Sequence, residues 1–157
     1  SQGIFPWPHQ GLPLLWFCPE ERGVLDFSLF RIPRTIQKEL RRAKFRTTFD
    51  TCFEKVIEAC SLQKRSGQRG TWITDEMKSI YTQMHRLGHA HSVECWQGDQ
   101  LVGGLYGVYI QGVFSGESMF HHTTAASKQC IVSLVEQLQK MGHEWFDIQM
   151  VTPVLES

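Results

Sequence analysis

The sequence predicts an α+β domain built on a mostly antiparallel sheet, and three observations predict it. Helical spacing of apolar residues recurs between about Phe49 and Leu87. From His89 to Phe120 short β-rich runs are separated by the turn signals Gln97-Gly98-Asp99 and Gln111-Gly112. One more helical stretch then precedes a last strand, and helices followed by a meander, a helix and a strand make an α+β arrangement. The 157 residues, 41% hydrophobic and 20% charged, suffice to bury a core and are too apolar for a disordered chain.

The elements follow in order. Pro6, Pro8, Pro13 and Pro19 break regular structure in the first thirty residues. That stretch is expected to run extended and to pack aromatics such as Trp7, Trp16 and Phe17 onto the rest. Arg34 to Arg42 reads as a short basic helix with Pro33 in its first turn. Phe45 to Thr48 reads as a strand or connector. Phe49, Cys52, Phe53, Val56, Ile57 and Cys60 then take helical spacing, with Thr51 and Glu54 placed for a capping box. Leu62 to Gly70 is a polar, basic loop. A second amphipathic helix runs from about Thr74 to Leu87, with Thr74 as N-cap, Asp75 and Glu76 at its positive end and Gly88 as its stop. Its apolar stripe is Met77, Ile80, Tyr81 and Met84. After the meander, Ala125 to Met141 carries Cys130, Ile131, Leu134, Val135, Leu138 and Met141 on one side and stops at Gly142. Trp145 to Val151 reads as the final strand. No internal repeat or low-complexity tract interrupts this order.

Net charge is zero, which excludes a globally basic nucleic-acid binder, but the charge is segregated. Arg31 to Arg69 holds 11 Lys/Arg against four acids, a net +7, and the remainder compensates with −7. Such a patch suits phosphate, while another face is left to handle a cation. Arg34, Lys38, Arg41 and Arg42 share one helical face with only Glu39 nearby to balance them. The five cysteines, Cys18, Cys52, Cys60, Cys95 and Cys130, are odd in number and widely spaced, which favours reduced, buried thiols in a cytosolic protein. His85, His89, His91 and Cys95 fit no common zinc spacing, nor does His121-His122, so no metal is expected. No apolar run approaches the roughly 18 residues of a membrane span, and no signal peptide is visible.

Seven strings occur in order and span nearly the whole chain: Gly3-Ile4-Phe5-Pro6-Trp7, Gly70-Thr71-Trp72-Ile73-Thr74, Leu87-Gly88-His89-Ala90-His91-Ser92-Val93-Glu94, Leu101-Val102-Gly103-Gly104-Leu105-Tyr106-Gly107-Val108, Phe114-Ser115-Gly116-Glu117-Ser118-Met119-Phe120, Ala126-Ser127-Lys128 and Asp147-Ile148-Gln149. Together they resemble the leucyl/phenylalanyl-tRNA–protein transferase family. The resemblance begins well inside the family's pattern and stops at Leu155-Glu156-Ser157, so it is expected to cover the central body with both ends missing. It implies a GNAT-like domain over 47–157, preceded over 1–46 by an aromatic-rich segment and a tRNA-binding helix. The Gln/Arg-x-x-Gly-x-Gly/Ala signature of acetyltransferases is absent, so no acetyl-CoA or other cofactor is expected.

The activity implied is transfer of Leu or Phe, with Met as a further donor, from Leu-tRNA or Phe-tRNA onto proteins with an N-terminal Arg or Lys, marking them for N-degron degradation. The enzyme would be a cytoplasmic monomer with no membrane partner. The catalytic residues implied are Asp147 and Gln149, the family's Asp-x-Gln pair, together with Glu117. Strand alternation alone puts Asp147 and Gln149 on one face. Trp7, Trp72 and Phe114 match aromatics of the aminoacyl-adenosine pocket, for which flat, rigid apolar area is needed. Met119, Leu134 and Leu138 stand as pocket wall or core. Arg34, Lys38, Arg41 and Arg42 match the cluster that receives acceptor-stem phosphates without reading sequence. The alternative is a catalytically silent tRNA-binding or substrate-binding module on the same fold.

Overall fold

The meander's turn signals bring three long strands side by side, and in a computed structural model they form the centre of a six-stranded sheet. The structure describes residues 4–7, 15–63 and 71–149. Its elements are β1 (Phe5–Trp7), β2 (Leu15–Phe17), β3 (Gly23–Asp26), α1 (Arg34–Ala43), β4 (Arg46–Phe49), α2 (Phe53–Leu62), α3 (Asp75–Arg86), β5 (Ala90–Gln97), β6 (Gln100–Ile110), β7 (Val113–His121), α4 (Ala126–Lys140) and β8 (Trp145–Gln149). β1 and β2 pair as a small antiparallel hairpin, and the main sheet has the order β3-β8-β7-β6-β5-β4. All its pairings are antiparallel except β7 with β8, because α4 carries the chain back across the sheet between them. The mostly antiparallel α+β fold expected from the sequence is the one observed.

Two helical layers cover the sheet. On one face α4 buries Cys130, Ile131, Leu134, Val135 and Leu138 against Val93, Leu105, Phe114 and Phe146. On the other, α2 and α3 bury Val56, Ile57, Met77 and Tyr81 against Ala90, Tyr106 and Phe120. β6 runs between both layers, and its Gly103-Gly104 pair lets them approach. A Cβ on Gly103 would lie 2.7 Å from Ala126 Cβ, and one on Gly104 would lie 2.7 Å from the Phe120 ring.

Thr74 caps α3 by accepting from the Met77 N–H at 3.3 Å, and Gly88 follows the helix with φ +77°, as their residue types require. Gly112, at φ +81°, turns β6 into β7.

Several local expectations are corrected. β3 was not foreseen in the Pro-rich segment, where four residues give too short an apolar pattern to register. Trp16 and Phe17 are 62% and 41% exposed on the hairpin rather than buried. Cys18 is exposed, although Cys60, Cys95 and Cys130 are buried. Ile80 is 39% exposed at the margin of its helical stripe. Phe49 ends β4 and does not start α2. The Thr51–Glu54 capping box does not form, since the Thr51 hydroxyl donates to Phe49 O. The cap comes from β5 instead. The fully buried Glu94 carboxylate accepts from the Thr51 and Cys52 N–H groups at 3.2 and 3.4 Å, and from the Thr48 and Ser92 hydroxyls at 2.6 Å each. It supplies negative charge at the positive end of α2 from outside that helix.

Candidate active site

The expected Asp-x-Gln pair closes β8. Phe146 and Ile148 pack toward α4. Period-two alternation therefore turns Asp147 and Gln149 to the opposite face, where both are buried. Gln149 has φ +62°, a left-handed conformation that costs a non-glycine residue about 1 kcal/mol. Its N–H donates to Asp147 Oδ1 at 2.7 Å, which holds the turn. The carboxamide is thereby aimed at β7, and Nε2 donates to Glu117 Oε2 at 3.0 Å.

Glu117 reaches this position through a β-bulge. Tyr106 of β6 pairs with Ser118 and its neighbour Gly107 with Gly116, so Glu117 is the extra, unmatched residue in the ladder. The bulge explains why Phe114 and Met119, five positions apart, both face α4. It also turns Ser115 and Glu117 toward Asp147 and Gln149. Among the described residues, backbone pairing between β7 and β8 is seen at Ser115 opposite Asp147. Two residues further on, side chains replace the ladder, as the Gln149–Glu117 hydrogen bond shows.

Three residues that sequence reasoning did not assign to the site complete it. Arg22, immediately before β3, forms an ion pair with Asp147 Oδ2. Its guanidinium lies 5.6 Å from the centroid of the buried Phe5 ring. The Ser115 hydroxyl donates to the same carboxylate oxygen at 3.3 Å. Tyr81, foreseen only as part of a helical stripe, brings its phenol beside the Glu117 carboxyl. Trp72 stands beside it, edge-on at 6.5 Å between ring centroids. Helical spacing marks Tyr81 as buried but carries no trace of its polar partner. Arg22 has no signal at all, because its pairing depends on β3 joining β8 across 125 positions.

The two carboxyls differ in their surroundings. Asp147 has donors on both oxygens and a guanidinium beside it. Glu117 is pushed up to about 7, chiefly because burial strips water from it, with the charge of Asp147 adding to the effect. The hydrogen bonds from Gln149 and Tyr81 and the positive charge of Arg22 act against that rise. Burial and the adjacent Glu117 in turn push the Tyr81 phenol well above its usual range. The arrangement offers one group that exchanges a proton near neutral pH beside one firmly held carboxylate.

The other expected residues are distributed as follows. Phe114, Leu134 and Leu138 are core residues on the α4 face, with Met119 partly buried against them. The sheet separates them from Tyr81 and Trp72. Trp7 closes β1, opposite Leu15, but its side chain lies outside the described residues, as do Lys64, Arg65 and Arg69. Arg34, Lys38, Arg41 and Arg42 all stand exposed on α1. Among the described residues none of the four pairs with a carboxylate; Arg41 instead donates to Gln37 at 3.2 Å.

The histidines have structural ties. His85 Nδ1 lies 2.8 Å from Ala90 O, and His91 Nδ1 lies 2.8 Å from the Asp50 carboxylate, which raises the His91 imidazole above its usual value. A groove between α2 and α3, lined by Ile57, Glu58, Lys78 and Arg86 among others, contains none of the candidate residues. No helix among the described residues is long and apolar enough to cross a membrane.

Comparison with known proteins bears on this geometry. Residues 24–157 match the family described as leucyl/phenylalanyl-tRNA protein transferase, and residues 1–20 match that family's N-terminal domain. Proteins named leucyl/phenylalanyl-tRNA–protein transferase from Anaeromyxobacter sp. (strain K) and Hydrogenovibrio crunogenus are 48% and 47% identical over 152 and 156 residues. The aligned regions cover 97% and 99% of this chain but 65% and 61% of those relatives. A third, from Christiangramia forsetii, is 47% identical over 99% of this chain and 74% of its own length. Among solved structures, L-PGS from Bacillus licheniformis superposes with a TM-score of 0.57 at 14% identity, over 85% of this chain and 48% of that one, a likeness of fold. With one family profile matching most of the chain and relatives near half identity along almost all of it, this chain belongs to the leucyl/phenylalanyl-tRNA protein transferase family.

Proposed function

We propose that the chain moves Leu or Phe, with Met as a further donor, from aminoacyl-tRNA onto the α-amine of a protein beginning with Arg or Lys. The observation that carries the reading is the Asp147–Gln149–Glu117 cluster, two carboxyls joined through a carboxamide in a member of this family. Ester aminolysis needs positioning more than acid–base power, because the acyl group is already activated. The acceptor's ammonium, with an ordinary pKa near 8, has to lose a proton. Asp147 and Gln149 orient the amine, and Glu117 receives that proton. The amine nitrogen attacks the ester carbonyl, the amide C–N bond forms and the ester C–O bond breaks. The ribose oxygen then leaves as a hydroxyl carrying the second nitrogen-bound proton.

Trp72, with Trp7, provides flat apolar surface for the terminal adenosine. The donor side chain is seated toward Phe114, Leu134 and Leu138. Met119 is the adjustable wall there, since an unbranched thioether repacks readily. Arg34, Lys38, Arg41 and Arg42 hold acceptor-stem phosphates; their exposure, and the lack of carboxylate partners for them among the described residues, support this. Residues 1–46 supply tRNA contacts and 47–157 the chemistry, although β3 joins the sheet from the first of these segments. The setting is cytoplasmic, the working unit a monomer, and the modified proteins enter N-degron degradation.

The test is transfer of labelled Phe from Phe-tRNA to a peptide beginning with Arg, beside the same peptide N-acetylated. Transfer to the free amine alone, lost in Asp147→Ala and Gln149→Ala, is the expected result. Tight tRNA binding without transfer would make the chain a silent binding module. Acetylation dependent on acetyl-CoA would overturn both readings.

A further inference from the structure

We propose that Arg22 is a positioning residue for the transfer reaction: its guanidinium, seated over the Phe5 ring, holds the Asp147 carboxylate in the rotamer that orients Gln149 toward Glu117. This deepens the function proposed above and rests on it. Three observations carry it. Arg22 pairs with Asp147 Oδ2, while Oδ1 of the same carboxylate accepts from the Gln149 N–H at 2.7 Å. The residue that Asp147 constrains is Gln149, whose positive φ of 62° points its carboxamide at Glu117, 3.0 Å away. The guanidinium is itself held, because Phe5 is buried and its ring lies 5.6 Å from the Arg22 Cζ.

A chain of fixed contacts thus runs from the N-terminal hairpin through Arg22 and Asp147 to Gln149 and Glu117. The hairpin is otherwise a separate two-stranded sheet. Without Arg22, Asp147 would be a buried carboxylate lacking its cation, free to turn toward solvent and release the Gln149 turn. Aligned reacting groups are sensitive to such a loss, since a displacement of about 1 Å costs about 10²-fold in rate.

Arg22 acts on Glu117 as well. Among the described residues, the groups acting on Glu117 are Tyr81 from α3, Asp147 and Gln149 from β8, and Arg22 from ahead of β3. Of these only Arg22 carries positive charge, and it lowers the value at which Glu117 titrates. Removing the charge therefore moves Glu117 to higher pH. A residue that merely tied down the hairpin would not do that.

The experiment compares Arg22→Gln, Arg22→Lys and Phe5→Leu with the unmodified chain, using Phe-tRNA and an Arg-initiated peptide. Arg22→Gln is expected to lower kcat about tenfold or more while the KM for Phe-tRNA stays within about threefold. The acidic limb of its pH–rate profile should move to higher pH. Arg22→Lys should restore the limb and much of kcat, and Phe5→Leu should lower kcat without moving the limb. A carboxyl-carbon NMR titration of Glu117 in the same proteins reads the charge effect without any activity. If the unmodified chain transfers nothing, the functional reading fails, and the Glu117 titration still decides the role of Arg22. Unchanged rate and titration in folded Arg22→Gln, or a lower rate with both titration and limb unmoved, overturns the proposal. If Arg22→Gln does not fold, Phe5→Leu and Arg22→Lys decide it. Full activity in Phe5→Leu, or no loss of kcat in either, is then the refuting result.

Discussion

Glu117→Gln should flatten one part of the chain's stability–pH curve. The carboxyl is pushed up to about 7 from the ordinary 4.5, mainly by desolvation at the bulge between Tyr81 and Gln149. The folded chain therefore keeps this proton in a range where the unfolded chain has already released it. The sign follows from proton uptake: with more protons bound in the folded state, stability falls as pH rises from about 4.5 to about 7 and levels off above. That rise, at about 1.4 kcal/mol per unit, sets an upper bound of about 3 kcal/mol. Because Glu117 keeps some contact with solvent, about 1–2 kcal/mol is the expected size.

Gln cannot ionise, but it retains an oxygen to accept from Tyr81 or Gln149, so it imitates the protonated acid. Urea unfolding at pH 5 and pH 8 on both proteins provides the assay. The remaining carboxylates and histidines titrate alike in both and cancel in the difference. The unmodified chain should lose about 1–2 kcal/mol more than Glu117→Gln between the two pH values. Curves that run parallel to within about 0.5 kcal/mol would show that the fold does not hold Glu117 in a raised state, and the proton-acceptor role built on it would go too.

Three further predictions concern the scaffold and the basic helix. Glu94→Leu should destabilise the chain by about 3–5 kcal/mol in urea unfolding, because it orphans four donors at the start of α2 and on β4 and β5; a loss below about 1 kcal/mol would refute the capping role. Gly103→Ala should cost about 1–3 kcal/mol, since the new methyl meets Ala126 Cβ at 2.7 Å and helix backbone at 2.9 Å, neither of which can rotate away. Thermal unfolding at the unmodified stability would show that α4 shifts freely. Neutralising Arg34, Lys38, Arg41 and Arg42 together should reduce the salt dependence of tRNA binding by about three to four in log–log slope, at about 0.7–0.9 per contact; an unchanged slope would place the phosphates elsewhere.

How much was legible in the sequence depended on whether a feature is local. Thr74, Gly88, Gly112 and Gly142 fall at helix and strand boundaries because capping and left-handed backbone are properties of a few neighbouring residues. The basic helix, the meander and the apolar side of α4 follow from periodicity in the same way. Asp147 and Gln149 were placed on one face by alternation alone, and both are buried there. Cap and pairing partners that come from afar left no such mark. Glu94 replaces the expected Thr51–Glu54 box from 40 or more positions away, and β3, four residues long, becomes a strand only because β8 offers it an edge.

The sequence by itself determined the fold class, most of the element order and, through its ordered strings, the family. Each of these is written in nearest-neighbour chemistry or in the order of motifs along the chain. Tertiary structure alone decided how the site is assembled. The bulge that turns Glu117 toward Gln149, the burial that raises its carboxyl, the Tyr81 hydroxyl and the Arg22 counter-ion all come from contacts between elements. A carboxyl's charge state depends on the water and charges around it in space, and no spacing along a chain records those.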